Sequence, residues 1–179
     1  MLRIFYPNLY LSTILEIDPE ELRKRGINTL LLDLDNTIVP RDIDKFSPEI
    51  KDWLTEMRQS GFKLCVVSNN SGARVGTLAG MLDIPWVKAL KPLSHSFRRA
   101  MLLSGSTPTE TAVIGDQIFT DILGGNMLGI FTILVKPMAG KEFWATTIFN
   151  RQLEKLVLYR LNRYISRKNK RKEGTGRGC

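Results

Sequence analysis

Short, nearly unbroken apolar runs alternate along the first 135 residues with stretches in which apolar side chains return every three or four positions. The runs at 29–33, 63–67, around Trp86-Val87, 111–114 and 130–135 predict strands. They lack the in-out alternation of a half-solvated sheet, which predicts strands buried on both faces. After the first run, Ile50, Trp53, Leu54 and Met57 fall at i, i+3, i+4 and i+7. That spacing predicts an amphipathic helix, with Ser47 as its cap and Pro48 at its first position. Further helices are predicted at 72–81, 94–104 and 118–127. Strand and helix in alternation predict an α/β domain with a doubly wound parallel sheet, whose ligands gather at the carboxyl ends of the strands.

Three of the predicted strands run into polar clusters that such a sheet would bring to one edge. The first is Asp33-Leu34-Asp35-Asn36-Thr37, directly after Leu30-Leu31-Leu32. Alternate residues of a strand share a face, so Asp33 and Asp35 are expected to point the same way. Two carboxylates that close repel unless a cation lies between them, and the arrangement suits phosphoryl transfer. The second cluster is Ser68-Asn69-Asn70-Ser71-Gly72, where a hydroxyl and backbone N–H groups at a helix start offer a phosphate cradle without a Walker glycine loop. The third is Gly115-Asp116-Gln117-Ile118-Phe119-Thr120-Asp121, whose acids are hard oxygen ligands suited to Mg²⁺. Between the second and third lies Lys91, in Ala89-Leu90-Lys91-Pro92, an ammonium available to phosphoryl oxygens.

Taken in order, Asp33-Leu34-Asp35-Asn36-Thr37, Ser68-Asn69, Lys91-Pro92 and Gly115 to Asp121 resemble the four motifs of the haloacid dehalogenase superfamily of phosphatases. The resemblance implies that Asp33 is a nucleophile that becomes an aspartyl-phosphate, and that Asp35 is the acid for the leaving group and then the base for water. It also implies that Thr37 supports the first loop, that Ser68 and the Asn69 N–H bind the phosphoryl group, and that Lys91 holds nucleophile and phosphate together. Mg²⁺ would be ligated by Asp33, Asp116 and the Asp35 carbonyl oxygen, with Asp121 ligating it or orienting that shell.

Spacing narrows the expectation. Asp33 and Ser68 are 35 positions apart and Ser68 and Lys91 are 23 apart, gaps filled by the predicted helices and one short strand, so no cap domain fits. A capless member either completes a lid by oligomerising or acts on a large substrate such as a polymer, a protein or a lipid head group. With Pro7-Asn8-Leu9-Tyr10 and the chain length added, the sequence is similar to the bacterial YqeG-type branch, related to mitochondrial and plastid phosphatidylglycerophosphate phosphatases. That similarity implies phosphatidylglycerophosphate as substrate and phosphatidylglycerol as product. The alternatives are a phosphatase of soluble sugar phosphates, nucleic-acid ends or phosphoproteins, and an RNA- or ribosome-associated binding module with a vestigial phosphatase site.

Charge changes this picture at one place. Residues 150–179 hold ten of the 26 basic residues and two of the 18 acidic ones, so they carry the whole net charge of +8 and residues 1–149 are neutral. We therefore expect a catalytic domain over 1–149 and a basic amphipathic helix with a disordered end over 150–179. In the helix Phe149, Leu153, Leu156, Val157, Leu161, Tyr164 and Ile165 form one stripe beside Arg151, Lys155, Arg160, Arg163 and Arg167. The stripe either packs on the sheet or lies in an anionic membrane interface, where each basic residue adds about 1 kcal/mol. Nucleic acid is the less favoured partner, because few aromatics interleave with the last charges. No apolar run reaches the length of a membrane span and the N-terminus lacks a signal-peptide core, which points to a cytoplasmic protein, peripheral at most. The single His95 excludes a multi-histidine metal centre and is expected at the surface or as a helix cap, while Cys65, inside an apolar run, is expected in the core.

Overall fold

The computed structural model describes residues 2–70, 72–89 and 94–138. Lys91 lies outside the described residues, as do the expected boundary at 149/150 and the basic helix beyond it. In chain order the elements are β1 (Leu9–Leu11), α1 (Pro19–Lys24), β2 (Thr29–Leu32), α2 (Pro48–Gln59), β3 (Lys63–Ser68), α3 (Gly72–Met81), β4 (Trp86–Lys88), α4 (Ser94–Ser104), β5 (Thr111–Gly115), α5 (Leu123–Met127) and β6 (Phe131–Val135). The six strands make one sheet in the order β1-β6-β5-β2-β3-β4, and every pairing is parallel. From β2 the chain winds outward to β3 and β4, then returns to the other side for β5 and β6. The winding therefore reverses between β2 and β5, which is where an open parallel sheet leaves a crevice at its carboxyl edge.

Residue alternation along the central strands divides the interior into two cores. Leu30, Leu32, Leu64, Val66, Ala112 and Ile114 face one side, where they meet Ile50, Trp53, Leu54 and Met57 of α2 and Val75 and Leu78 of α3. Leu31, Cys65, Val67 and Val113 face the other, against Phe97, Ala100 and Met101 of α4. Both faces are covered, so the strands read as continuous apolar runs. The Ser47 hydroxyl accepts from the Ile50 N–H at 3.4 Å and Pro48 opens α2, as the sequence predicts.

Three local features depart from the sequence reading. The strand expected over 29–33 leaves the ladder after Leu32, although the Asp33 N–H still donates to the Ile114 carbonyl at 2.9 Å. The helix expected over 118–127 begins with a π-helical turn, Ile118–Ile122, before α5. The edge strand β1 has only three residues and no strong pattern of its own. It is pinned by side chains: Asn8 exchanges bonds with Thr132, and the Asn126 amide donates to the Ile4 and Tyr6 carbonyls. Phe5 packs edge-on against Phe119 at 5.5 Å and Leu11 packs against the larger core. His95 is exposed near the start of α4.

Burial pushes the Cys65 thiol up to about 12, from an ordinary value near 9. In a Cys179→Ser chain at pH 8, Cys65 should not react with a disulfide reagent until denaturant unfolds the protein, and should then release one equivalent. The unfolded chain ionises this thiol at lower pH than the folded one, so the stability it contributes is lost as pH rises from about 9 towards about 12. Denaturant melts across that range, compared with Cys65→Ala, measure it.

Candidate active site

The carboxyl ends of the two central strands supply the acids. Leu32 of β2 is paired with Ile114 of β5, so Asp33 and Asp116 leave the sheet side by side. Asp33 is 6% exposed and Asp121 fully buried, with Asp116 half-buried between them. Carboxylate oxygens of the three lie within 4.8 Å of one another. Such an all-oxygen, all-anionic set fits a hard divalent cation, which would remove the repulsion the three acids otherwise exert. The Thr37 hydroxyl lies 3.4 Å from Asp33 Oδ2 and 3.5 Å from Asp116 Oδ1, between two of the acids.

Asp121 reaches the cluster because the π-helical turn brings it back over the end of β5. Its Oδ2 accepts from the Gln117 N–H at 3.2 Å and from the Thr120 hydroxyl at 3.3 Å. The carboxylate lies so close to Gly115 that a Cβ there would sit 2.3 Å from Asp121 Cγ and Oδ2. Gly125 allows a similar approach one turn later, where a Cβ would meet Val113 Cγ1 at 2.5 Å and Thr132 Cγ2 at 2.7 Å.

Asp35 keeps different company. The chain turns sharply at Asn36, which has φ +60°, a left-handed conformation that asparagine tolerates better than most residues. Asn36 donates to the Val39 carbonyl at 2.7 Å, accepts from the Arg41 N–H at 3.2 Å through Oδ1, and accepts from the Met138 N–H at 2.8 Å. Asp35 Oδ2 accepts from the Asn70 amide at 3.1 Å, and Oδ1 pairs with the Arg74 guanidinium. The carboxylate of Asp35 is therefore not among the three clustered acids.

Ser68, at the end of β3, is buried, and its hydroxyl accepts from the Asn70 N–H at 3.2 Å. Asn69 is exposed beside it. Asp33, Asp35, Ser68, Asn69 and Asn70, with Asn36, Arg41, Gln117 and Thr120, line a cavity of about 140 Å³. A wider depression of about 580 Å³ lies at the amino ends of the strands, beside Arg25, Ile27, Pro108 and Ile130, and holds none of these acids. Sequence reasoning picked out the acids, Ser68 and Asn69, but passed over Arg41, Arg74 and the amide of Asn70. Arg74 left one legible trace: it sits in the first turn of α3, where the helix dipole disfavours a cation, so some other interaction had to keep it there.

A family model described as haloacid dehalogenase-like hydrolase matches residues 3–129, and with the fold and the clustered acids it defines the class: the chain belongs to the haloacid dehalogenase-like hydrolases. Over 162 residues it is 40% identical to "Probable phosphatase YqeG" of Bacillus subtilis, covering 90% of this chain and 94% of that protein. It is 30% identical over 127 residues to "Phosphatidylglycerophosphatase GEP4, mitochondrial" of Saccharomyces cerevisiae, covering 62% of this chain and 68% of the other. With "Phosphatidylglycerophosphate phosphatase 1, chloroplastic/mitochondrial" of Arabidopsis thaliana it shares 24% identity, over 89% of this chain and 48% of that protein. Among solved structures, the cobalt-bound deoxy-D-mannose-octulosonate 8-phosphate phosphatase YrbI of Haemophilus influenzae has the same fold, with a TM-score of 0.51 at 16% identity over 62% of this chain and 69% of the other. No helix among the described residues is long and apolar enough to cross a membrane.

The Gly115 contact yields a sharp test. Gly115→Ala should displace the buried Asp121 carboxylate and cost on the order of 1–3 kcal/mol of stability. Thermal melts should show a lower midpoint and little of the added stability that a divalent cation confers on the wild type.

Proposed function

We propose that this phosphatase removes the terminal phosphate of phosphatidylglycerophosphate, leaving phosphatidylglycerol, through a phosphorylated Asp33. The observation that carries the reading is the cluster of Asp33 with Asp116 and Asp121, together with the cavity that Asp33 shares with Asp35 and Ser68. Asp33, Asp116 and Asp121, with the Asp35 carbonyl, would hold Mg²⁺. When bound, that ion supplies charge neutralisation for the attacking carboxylate and the phosphoryl oxygens.

An Asp33 oxygen attacks phosphorus while the ester P–O bond breaks, and Asp35 delivers its proton to the departing alkoxide. Asp35, now a carboxylate, takes a proton from the water that attacks the aspartyl-phosphate, so inorganic phosphate leaves and Asp33 is regenerated. Ser68 and the Asn69 N–H hold phosphoryl oxygens, Lys91 bridges nucleophile and phosphate, and Thr37 orients the first loop.

Three things support a lipid substrate. Two relatives carry phosphatidylglycerophosphate phosphatase names. The connections between Asp33 and Ala89 hold α2, β3, α3 and β4 and leave no room for a cap domain. The +8 charge of residues 150–179 would draw the catalytic domain, residues 1–149, to an anionic surface at the cytoplasmic face of a membrane.

Phosphate release from phosphatidylglycerophosphate in mixed micelles with Mg²⁺ should exceed release from soluble phosphomonoesters. It should fall at least about a thousandfold in Asp33→Asn, and chelation should abolish it. Equal rates on lipid and soluble esters would discard the substrate and keep the mechanism. A chain ending at Phe149 should keep its turnover of soluble esters and lose most of its activity on anionic vesicles. If that chain unfolds, the segment belongs to the core instead.

A further inference from the structure

We infer that Arg74 is the positioning residue for proton transfer: it locks Asp35 to the 40–44 loop and so fixes the carboxylate that faces the leaving group. This rests on the role proposed above for Asp35. Asp35 needs such a lock, because it stands on a loop that has left the sheet and turns back at the left-handed Asn36. Asp35 belongs to no strand there and pairs through an isolated bridge to Val39.

Arg74 comes from an anchored element, since Val75, Leu78 and Ala79 of α3 are buried. Its guanidinium pairs with Asp35 Oδ1 and donates to Asp44 Oδ1 at 2.7 Å through Nε, and to the carbonyls of Pro40 at 3.2 Å and Ile43 at 2.8 Å. The two charge pairs are unequal. Asp44 is 73% exposed, so water screens it, whereas Asp35 and Arg74 are only 15% and 18% exposed. The Asp35 contact therefore dominates, and the Pro40 and Ile43 carbonyls hold the guanidinium plane at its angle. Four acceptors in these directions require a planar fork, which an ammonium cannot reproduce. Arg74 does not line the cavity, so it acts on the substrate through Asp35. With Oδ1 held by Arg74, Oδ2 is left as the oxygen that transfers the proton, steadied by the Asn70 amide.

The test uses the full chain with Mg²⁺ and two soluble esters of similar shape, 4-nitrophenyl phosphate and phenyl phosphate. The first leaving group departs without help, and the second needs a proton. A misplacement near 1 Å costs on the order of 100-fold where geometry matters. Arg74→Met should therefore lose at least about tenfold more kcat/KM on phenyl phosphate than on 4-nitrophenyl phosphate. Asp35→Asn serves as reference and should show a larger split of the same kind, about 10²-fold or more. Should Arg74→Met fail to fold, Arg74→Lys keeps the stem and charge but not the fork, and is expected to show the split as well. Equal losses on both esters in the Arg74 variants, with the Asp35→Asn split intact, would overturn the inference and leave Arg74 a structural residue. Absence of a split in Asp35→Asn would instead remove the role assigned to Asp35.

Discussion

Three carboxylates held within 4.8 Å of one another are the constraint that the rest of this molecule answers to. If all are ionised, each pair repels by about 3–4 kcal/mol at an effective dielectric near 20. A domain has only about 5–15 kcal/mol of net stability to set against that. The acids are therefore borne by the parts of the fold that can least move. Asp33 and Asp116 continue two neighbouring central strands whose register is set by buried side chains on both faces. Asp121 is pressed onto a glycine by a π-helical turn and is itself fully buried. A cation between them would relieve the repulsion and so couple its binding to the stability of the sheet's carboxyl edge.

The second acid of the first motif is kept out of that cluster, and this separation makes the site chemically useful. Asp33 and Asp35 are two residues apart, yet one joins two other carboxylates while the other meets an amide and a guanidinium. Two acids in different environments can take different roles, as the proposed mechanism requires of Asp33 and Asp35. The left-handed turn at Asn36 creates the division, and the contacts from α3 maintain it.

Among the described residues, the connections beside the site are short. Between β2 and β3 the chain makes one loop and α2, and between β3 and β4 only α3. Neither insertion is large enough to close over a small molecule. The cavity of about 140 Å³ suits a phosphoryl group better than a whole substrate, so the remainder of any substrate must lie outside it.

Much of this was legible in the chain alone, for a physical reason. Strands buried on both faces leave continuous apolar runs and amphipathic helices leave a 3.6-residue period, so β2 to β6 and α2 to α4 could be read from local pattern, and with them the edge at which Asp33, Ser68 and Asp116 had to meet. Where the energy is non-local, the pattern was silent. The strand β1 exists because Asn8, Asn126 and Thr132 bond across more than a hundred residues. The π-helical turn sets Asp121 against Gly115, a contact no helical periodicity encodes. Alternation along a strand put Asp33 and Asp35 on one side and stopped there. Their assignment to a metal cluster and to an arginine came from Asn36 turning the chain and from Arg74 reaching across to the 40–44 loop. Both depend on distances that only the folded backbone sets.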